Sequence, residues 1–542
     1  MPSDLRGGEA CAYIVVEKIL GADEAMPADW GIDGTSGYDF MRDATALLHD
    51  PAGEASLRVL WRDLDPTQDD PASVVLQAKR DMLSWQFEAQ LAACVAAFTA
   101  LADSAVETDA ALAAIPAPMW RRATERLLWV FPVYRTYGDG RTAPASDARA
   151  RDQAWAAMQP HLPPGEAGVA RRVLDWLAGD GPGDPALAAE AVRRFQQLSA
   201  PIAAKGVEDT AFYRRAPLLS ANDVGSAPEE FAIAIDAFHH RAAARGRAFP
   251  HAMLASATHD HKRGEDARAR LAVLSAVPDL WRAAVDRWSA MSAHHPDVHP
   301  ADRYQLFQTL LGAWPAAGTP DADFPARIEG WLEKALREAR LRSSWEAPDE
   351  TCEGQAKALL AGLLGSSAFV ADMTGFVAHI APAALANSLA QTALKYGVPG
   401  VPDLYQGCEG LDLSLVDPDN RRPADYAARA ALLAQPTGAE GEKIALIRDV
   451  LRHRATAPEL FAQGSYTPLV ASGQRSGNIV AFERRHDDRR LVCAVLVRAG
   501  RAIVEQGHLP DAAWWADTRI ASEPDLQPAR IFAERPYFIN LR

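Results

Sequence analysis

Three features are scarce in this 542-residue sequence, and each scarcity argues against a class of protein. Cysteine occurs five times, scattered and without a CxxC pair, which indicates a reducing compartment and no disulfide framework. Basic residues are outnumbered, 56 lysines and arginines against 71 acids, which disfavours a nucleic-acid partner. No apolar run reaches the ~18 residues of a membrane span, and the N-terminal residues have no signal-like core. We therefore expect a cytoplasmic protein with no membrane partner.

Motifs for several common chemistries are also missing. No GxGxxG, P-loop, GxSxG or HExxH occurs in the strand or helix context that each motif requires. This excludes nucleotide-binding, serine-hydrolase and zinc-protease interpretations.

The hydrophobic pattern before residue 440 consists of a few strand-like runs between long helical stretches. The strand-like runs lie at 12–20, 202–205, 252–258 and 397–405. A chain of this length is too long for one core, so two to four domains are expected. Strands that end on charged residues and are separated by helical excursions are typical of an α/β barrel, where the working groups follow the C-terminal ends of the strands.

The spacing of hydrophobic residues in the helical stretches differs from their spacing near the C-terminus. Leu83, Phe87, Leu91 and Cys94 recur at spacings of three and four residues, which predicts an amphipathic helix. From about residue 465, short alternating segments such as NIVAFERR and RLVCAVLV are broken by glycine, aspartate and asparagine. This second pattern predicts a small antiparallel β domain at the C-terminus.

Two carboxylates stand at the ends of predicted strands. Glu17 ends the run AYIVVEK, and Asp260 ends the segment MLASATHD. Facing one cavity, such a pair suits glycosidic chemistry, in which one carboxyl protonates the leaving oxygen and another stays ionised near an oxocarbenium-like centre. A salt-bridged strand end remains an equal alternative for Glu17. A metal site at His259 and His261 is a weaker alternative, because the pair lacks an evident third ligand.

A third polar segment, KGVEDTAFYRR, follows the run at 202–205. Lys205, Glu208 and Asp209 offer hydrogen-bonding groups to vicinal sugar hydroxyls, with Tyr213 and Arg214 nearby. A solvated loop with internal ion pairs explains the same residues, and the pattern alone favours that interpretation.

Several of these stretches together resemble the maltooligosyl trehalose synthase family of the α-amylase clan. The resemblance rests on VEKILGADEAMPADWGIDGTSGYDF, FPVYRTYGDGR, RRFQQLSAPIAAKGVEDTAFYRR, ATHDHKRGEDARARL, KALREARLRSSWEAPDE and GVPGVPDLYQGCEGLDLSLVDPDNRRP. These motifs occur in order from residue 12 to beyond residue 430.

The resemblance implies a partial α-amylase-type (β/α)8 barrel that contains strands five to eight. Strand five and its loop would occupy 1–40, and a large helical insertion would occupy 41–197. The remainder of the barrel, strands six to eight with helical excursions, would occupy 198–435, and a C-terminal β-sandwich would occupy 436–542.

The resemblance also implies a reaction and a set of site residues. The family converts the reducing-end α-1,4 bond of a maltooligosaccharide into an α,α-1,1 bond by a retaining mechanism. Glu17 matches the acid/base and Asp260 the transition-state stabiliser, with His259 beside it as a hydroxyl-binding donor. Other positions match residues that line or support glucose subsites: Lys18, Tyr38, Asp39, Lys205, Glu208, Asp209, Lys262 and Arg263. No cofactor and no metal are implied, and the expected partner is a maltooligosaccharide or starch-type glucan.

One part of the family pattern has no counterpart in this sequence. The family's nucleophilic aspartate ends strand four, and this chain begins only a few residues before strand five. We therefore expect a fragment that is inactive alone unless a separate polypeptide supplies strands one to four. A non-catalytic glucan-binding remnant and an α-1,4-glucan hydrolase of the same clan are the alternatives.

Overall fold

The structure is a computed structural model that describes residues 12–21, 24–316 and 318–542. The chain divides into two compact units. The first contains the described residues of Met1–Lys18, Ala28–Asp69 and Ala216–Arg542, and the second contains those of Ile19–Pro27 and Asp70–Arg215. The four domain ranges given above stay predictions.

The described part of the chain is mainly helical. Its strands are β1 Val15–Val16, β2 Gly34–Thr35, β3 Met253–Leu254, β4 Val401–Pro402, β5 Thr467–Pro468, β6 Ala471–Ser472, β7 Ile479–His486, β8 Arg489–Leu496, β9 Arg519–Ile520 and β10 Tyr537–Leu541. Its α-helices are α1 Tyr38–Leu48, α2 Glu54–Leu64, α3 Pro71–Trp85, α4 Glu88–Ser104, α5 Ala117–Val130, α6 Ser146–Met158, α7 Ala167–Ala178, α8 Pro185–Ala203, α9 Phe212–Arg214, α10 Ile235–Ala248, α11 Glu265–Ala272, α12 Pro278–Met291, α13 Pro300–Ala313, α14 Phe324–Ala339, α15 Glu350–Gly365, α16 Ser367–Gly397, α17 Tyr426–Ala434, α18 Gly438–Thr456, α19 Pro458–Gln463, α20 Gly500–Gln506 and α21 Pro528–Ile531.

Several helices begin where the sequence places an aspartate before a proline. The Asp70 carboxylate accepts a hydrogen bond from the Ser73 backbone N–H, and the Asp184 carboxylate accepts from the backbone N–H groups of Ala186 and Leu187. The proline that follows each aspartate occupies the first helical turn, where no N–H donor is needed. Local sequence chemistry therefore fixes the starts of α3 and α8.

The four strands nearest the predicted site are short and parallel. β1 pairs with β2, and β3 pairs with β4. β2 also lies against the segment that leads into β3, because a Cβ added at Gly34 would stand 2.5 Å from the Ala252 Cβ. The glycine thus permits a backbone approach that places the start of β2 beside the start of β3.

The strand predicted at 202–205 is wrong. These residues end α8 and begin a π-helix over Ala204–Ala211. A four-residue apolar run has no measurable period, and here it continues the helical face that buries Leu198 and Ile202. The strand that follows β1 in the chain is Gly34–Thr35, which hydrophobic pattern does not reveal.

The predicted amphipathic helix is two helices. α3 ends at Trp85 and α4 begins at Glu88, with Leu83 buried in the first, and Leu91 and Cys94 buried in the second. Their apolar faces join the core of the second unit, where the Trp120 and Trp176 rings lie 5.3 Å apart.

The antiparallel sheet predicted at the C-terminus is confirmed. Its strand order is β10-β8-β7-β5, with all neighbours antiparallel. One face of this sheet, including Phe482 and Cys493, packs with Leu389 and Ala393 of α16 in the core of the first unit. The sheet is therefore built onto the helical body rather than separate from it.

One described helix, α16, is long and apolar enough in composition to cross a membrane, contrary to the expectation from the sequence. Buried core helices pass the same test. The C-terminal half of α16 carries buried polar groups with protein partners, since Asn387 donates to the Ala269 carbonyl and Gln391 to the Glu265 carbonyl. These hydrogen bonds place the C-terminal half of α16 in the core of the first unit. Of the cysteines, Cys94, Cys352, Cys408 and Cys493 are free, and Cys11 lies outside the described residues.

Candidate functional site

Tyr38 occupies the centre of the candidate site. It is the first residue of α1, and Gly37 precedes it with a φ of 97°. A Cβ at Gly37 would lie 2.4 Å from the Ala255 backbone nitrogen, so only glycine lets α1 begin against the segment after β3. The Tyr38 side chain is buried, and its hydroxyl donates a hydrogen bond to Glu17 Oε1 over 3.3 Å.

Glu17 and Asp260 both act electrostatically on this hydroxyl. Burial raises the pKa of the Tyr38 phenol, a hydrogen bond from Thr258 lowers it, and the Glu17 and Asp260 charges raise it further. The net effect is a pKa above the usual tyrosine range, so Tyr38 stays protonated and remains a donor. Glu17 is exposed and Asp260 is half-buried. The structure thus brings together two carboxylates that the sequence places 243 positions apart by number (260 − 17); their catalytic roles stay predictions.

Asn420 positions the loop that carries Asp260. Its Nδ2 donates to the His259 carbonyl over 3.1 Å and lies 3.5 Å from the carbonyl oxygens of Thr258 and His261. Arg421 adds a hydrogen bond from Nε to the His259 carbonyl. Sequence reasoning missed both residues, although they lie in the quoted segment DPDNRRP, because their partners are about 160 positions away.

The two histidines that flank Asp260 are in different environments. His261 is buried; its Nδ1 accepts from the Thr258 backbone N–H at 3.1 Å, so its Nε2 donates to Ser414 Oγ at 3.0 Å. Both of its ring nitrogens are therefore occupied, and burial lowers the pKa of the imidazole. His259 is exposed. Within the described ranges, no group of three histidine, cysteine or acidic side chains could hold a metal ion.

The next predicted subsite residues, Lys262 and Arg263, belong to a buried turn. Their backbone N–H groups donate to the two carboxylate oxygens of Asp223, at 2.9 and 3.3 Å. The Arg263 guanidinium donates to the carbonyls of Leu219 and Asn222. Both side chains are almost completely buried, and Arg263 binds protein groups rather than an open cavity.

A buried charge network supports this turn, and the sequence did not reveal it. Lys443 Nζ lies 2.5 Å from Glu265 Oε1 and 2.6 Å from Asp266 Oδ2. Lys395 contributes a second ammonium group, 3.4 Å from Glu265. Burial alone would raise the pKa of Glu265, but the two lysines outweigh burial and hold that pKa below its usual range.

The Asp39 carboxylate also binds groups of the protein itself. One carboxylate oxygen accepts from Thr35 Oγ1 at 2.7 Å, and the other accepts from Arg245 Nε at 2.8 Å. Burial opposes ionisation, but Arg245 and the Thr35 hydrogen bond lower the pKa of Asp39 overall. Asp39 therefore fixes the first turn of α1, and through it Tyr38. Lys18, beside Glu17, is buried.

The remaining predicted subsite residues belong to the second unit. Lys205, Glu208 and Asp209 lie on the π-helix Ala204–Ala211, where Glu208 is buried. Lys205 Nζ pairs with Asp209 Oδ2 over 2.6 Å, one turn along the same helix. The internal ion pair anticipated for this segment is present, and a sugar-binding role stays a prediction.

Comparison with known proteins identifies the relatives of this chain. No family model matches the sequence. A Mycobacterium tuberculosis protein named "Putative maltooligosyl trehalose synthase" is 36% identical over 534 residues, which cover 98% of this chain and 66% of that protein. The chain is a homologue of the maltooligosyl trehalose synthases.

Solved structures agree with this homology. The maltooligosyltrehalose synthase of Arthrobacter ramosus is 29% identical, with a TM-score of 0.78 over 98% of this chain and 66% of that enzyme. A Sulfolobus tokodaii structure described as a hypothetical maltooligosyl trehalose synthase shares the fold at 24% identity and a TM-score of 0.68, over 89% of this chain and 60% of that one. The overall fold is thus that of these enzymes, and the chain spans just under two thirds of the length of its relatives.

Proposed function

We propose that this chain carries the Glu17–Asp260 part of a maltooligosyl trehalose synthase site, defined here by Glu17, Tyr38 and Asp260. The reaction would convert the reducing-end α-1,4 bond of a maltooligosaccharide into an α,α-1,1 bond. The observation that carries the proposal is the convergence of two carboxylates on one buried, protonated tyrosine hydroxyl in a homologue of these enzymes.

Each group has a distinct task in the proposed reaction. Glu17 is exposed, so its carboxyl can exchange protons with the glycosidic oxygen and act as acid and then base. Asp260 provides a second negative charge for an oxocarbenium-like transition state. Tyr38 holds the Glu17 carboxylate in place by its hydrogen bond.

The nucleophile would come from the part of the relatives that this chain does not span. That part would supply barrel strands one to four, either within a longer polypeptide or as a separate one. Exposed apolar surface supports the proposal: α17 has no buried residue, and Tyr426 and Leu433 on it are 63% and 45% exposed. Tyr13 and Val401, next to β1 and in β4, are also exposed. Such surface is typical of an interface.

A complementation assay tests the function. The chain is mixed with the remaining segment of a relative, and loss of reducing ends from a maltooligosaccharide is measured. We expect reducing ends to disappear without release of glucose, and Glu17→Gln to abolish this activity. Glu107→Gln, which changes an exposed carboxylate of the second unit, serves as the control.

Two other outcomes would contradict the proposal. Release of glucose or maltose with no trehalose unit would indicate an α-1,4-glucan hydrolase. Glucan binding without turnover in a folded complex, unchanged by Glu17→Gln, would indicate a binding remnant.

A further inference from the structure

A cavity of about 680 Å³, lined by both polar and apolar groups, lies in the first unit outside the Glu17–Asp260 site. Its wall is formed by the turn Asp50–Gly53, the loop 474–478, helix α20 and Trp514. None of Glu17, Tyr38 and Asp260 lines it. The volume lies within the range of small-molecule sites, which is about 300–1,000 Å³.

Arg475 and Trp514 form the distinctive part of the wall. The Arg475 guanidinium carbon lies 4.6 Å from the Trp514 ring centroid, and Arg475 Nε donates to the Trp514 carbonyl over 3.3 Å. Among the described residues, no carboxylate forms a salt bridge with Arg475. The pair therefore presents planar hydrogen-bond donors beside an aromatic ring.

The other arginines of the cavity are already engaged by protein groups. Arg501 pairs with the carboxylates of Asp279 and Glu505. Arg498 donates to the carbonyls of Leu47 and His49. The cavity is thus not a concentrated positive patch, which disfavours phosphate or another strongly charged anion as its ligand.

A second arginine–tryptophan pair on the surface shows what this arrangement looks like without a cavity. Arg337 stacks over the exposed ring of Trp345 at 5.0 Å, but its guanidinium also binds the carboxylates of Glu333 and Glu353. Trp345 lines none of the described cavities. That pair has its ionic partners, whereas Arg475 keeps donors for a ligand.

We propose that this cavity is an accessory site for a short segment of α-1,4-glucan. The exposed amides of Gln474 and Gln506 supply both donors and acceptors, as vicinal hydroxyls require. The Trp514 ring supplies an apolar surface for a pyranose edge or face. The identity of the sugar rests on the proposed function, and the polyhydroxylated class of ligand rests on the cavity itself.

Calorimetric titration of the whole chain with a maltooligosaccharide tests the site. We expect two binding events in the unmodified chain, and Trp514→Ala to weaken one of them about tenfold. Trp345→Ala, the matched control, should leave both unchanged. Gln474→Ala alters only an exposed side chain and should weaken the same event, which keeps the test valid if Trp514→Ala fails to fold.

The variant Asp260→Asn separates this proposal from the proposed function. It should remove the other binding event and leave the Trp514-dependent event intact. Loss of all binding in Asp260→Asn would overturn the accessory site and leave the proposed function standing. A single binding event in the unmodified chain, weakened by Trp514→Ala and unchanged by Asp260→Asn, would support the accessory site and count against the proposed function. Equal effects of Trp514→Ala and Trp345→Ala, or displacement of the glucan by inorganic phosphate, would overturn the accessory site.

Discussion

Tyr38 donates its hydroxyl to Glu17 from a side chain that is only 3% exposed, whereas the glutamate itself is open to solvent. A buried donor holds an exposed acceptor in one orientation, because the tyrosine ring cannot move while α1 stays packed. The contact joins the first strand to the first helix, and Asp260 faces the same hydroxyl from the segment after β3.

Tyr38→Phe should keep the fold and impair catalysis. The substitution removes one hydrogen bond to a charged group, a contribution of about 1.5–3 kcal/mol, so turnover in the complemented enzyme should fall at least about tenfold. Tyr537→Phe, which removes a hydroxyl on β10 of the C-terminal sheet, should leave turnover unchanged.

The same variant tests the electrostatics of the site. An ultraviolet titration should assign to Tyr38 a phenol that is still protonated at pH 10.0, the ordinary pKa of a tyrosine side chain. Normal ionisation of Tyr38 at that pH would contradict the burial described above.

Because the His49 ring is buried and neutral, we expect the folded protein to lose stability in acid. Its Nδ1–H donates to the Phe231 carbonyl and its Nε2 accepts from Ser220, so the folded protein holds a neutral ring. Burial lowers the pKa of His49 from 6.5 to about 4. The unfolded chain therefore binds a proton between these values while the folded chain does not, and stability falls as pH falls from 6.5 to 4, by roughly 3 kcal/mol for this residue.

The measurement is the free energy of unfolding at neutral and acid pH. His49→Gln should cost stability at neutral pH but lose less on acidification than the unmodified chain. His240→Gln, on an exposed side chain, should show the unmodified acid response. An unchanged acid response in His49→Gln would contradict the prediction.

The sequence indicates the groups proposed to do the chemistry better than it indicates the groups that hold them. Glu17 and Asp260 were found because each ends an apolar run, and this is local information. β2 was missed because a strand of two residues, Gly34 and Thr35, is too short to show an alternating hydrophobic pattern. Asn420 was missed because its partners are brought to it only by the fold.

A substitution at Lys443 tests the buried charge network that supports the turn after Asp260. Removing its charge in Lys443→Met leaves Glu265 and Asp266 buried without their shared cation, so we expect a loss of about 3–5 kcal/mol in the free energy of unfolding. The matched control is Lys334→Met, whose partner Asp417 is partly exposed; it should cost less than about 1 kcal/mol. Similar losses in the two variants would show that the network is not energetically distinct.

Asn420→Ala should loosen the loop that carries Asp260. The substitution removes the Asn420 hydrogen bond to the His259 carbonyl, which then relies on the Arg421 Nε donor, and it removes the longer contacts with the Thr258 and His261 carbonyls, at a cost of about 0.5–1.5 kcal/mol. Asn478 is a matched control, because its amide donates to the carbonyls of Val497 and Arg498 elsewhere in the first unit. Asn478→Ala should cost a similar amount of stability.

Hydrogen exchange distinguishes the two asparagine variants. Backbone amides of residues 258–261 should exchange faster in Asn420→Ala and at the normal rate in Asn478→Ala. Turnover of the complemented enzyme should fall only in Asn420→Ala, since Asp260 acts from a loop that has lost its fixed geometry. Unchanged exchange at residues 258–261 in a folded Asn420→Ala protein would show that other contacts hold Asp260 in place.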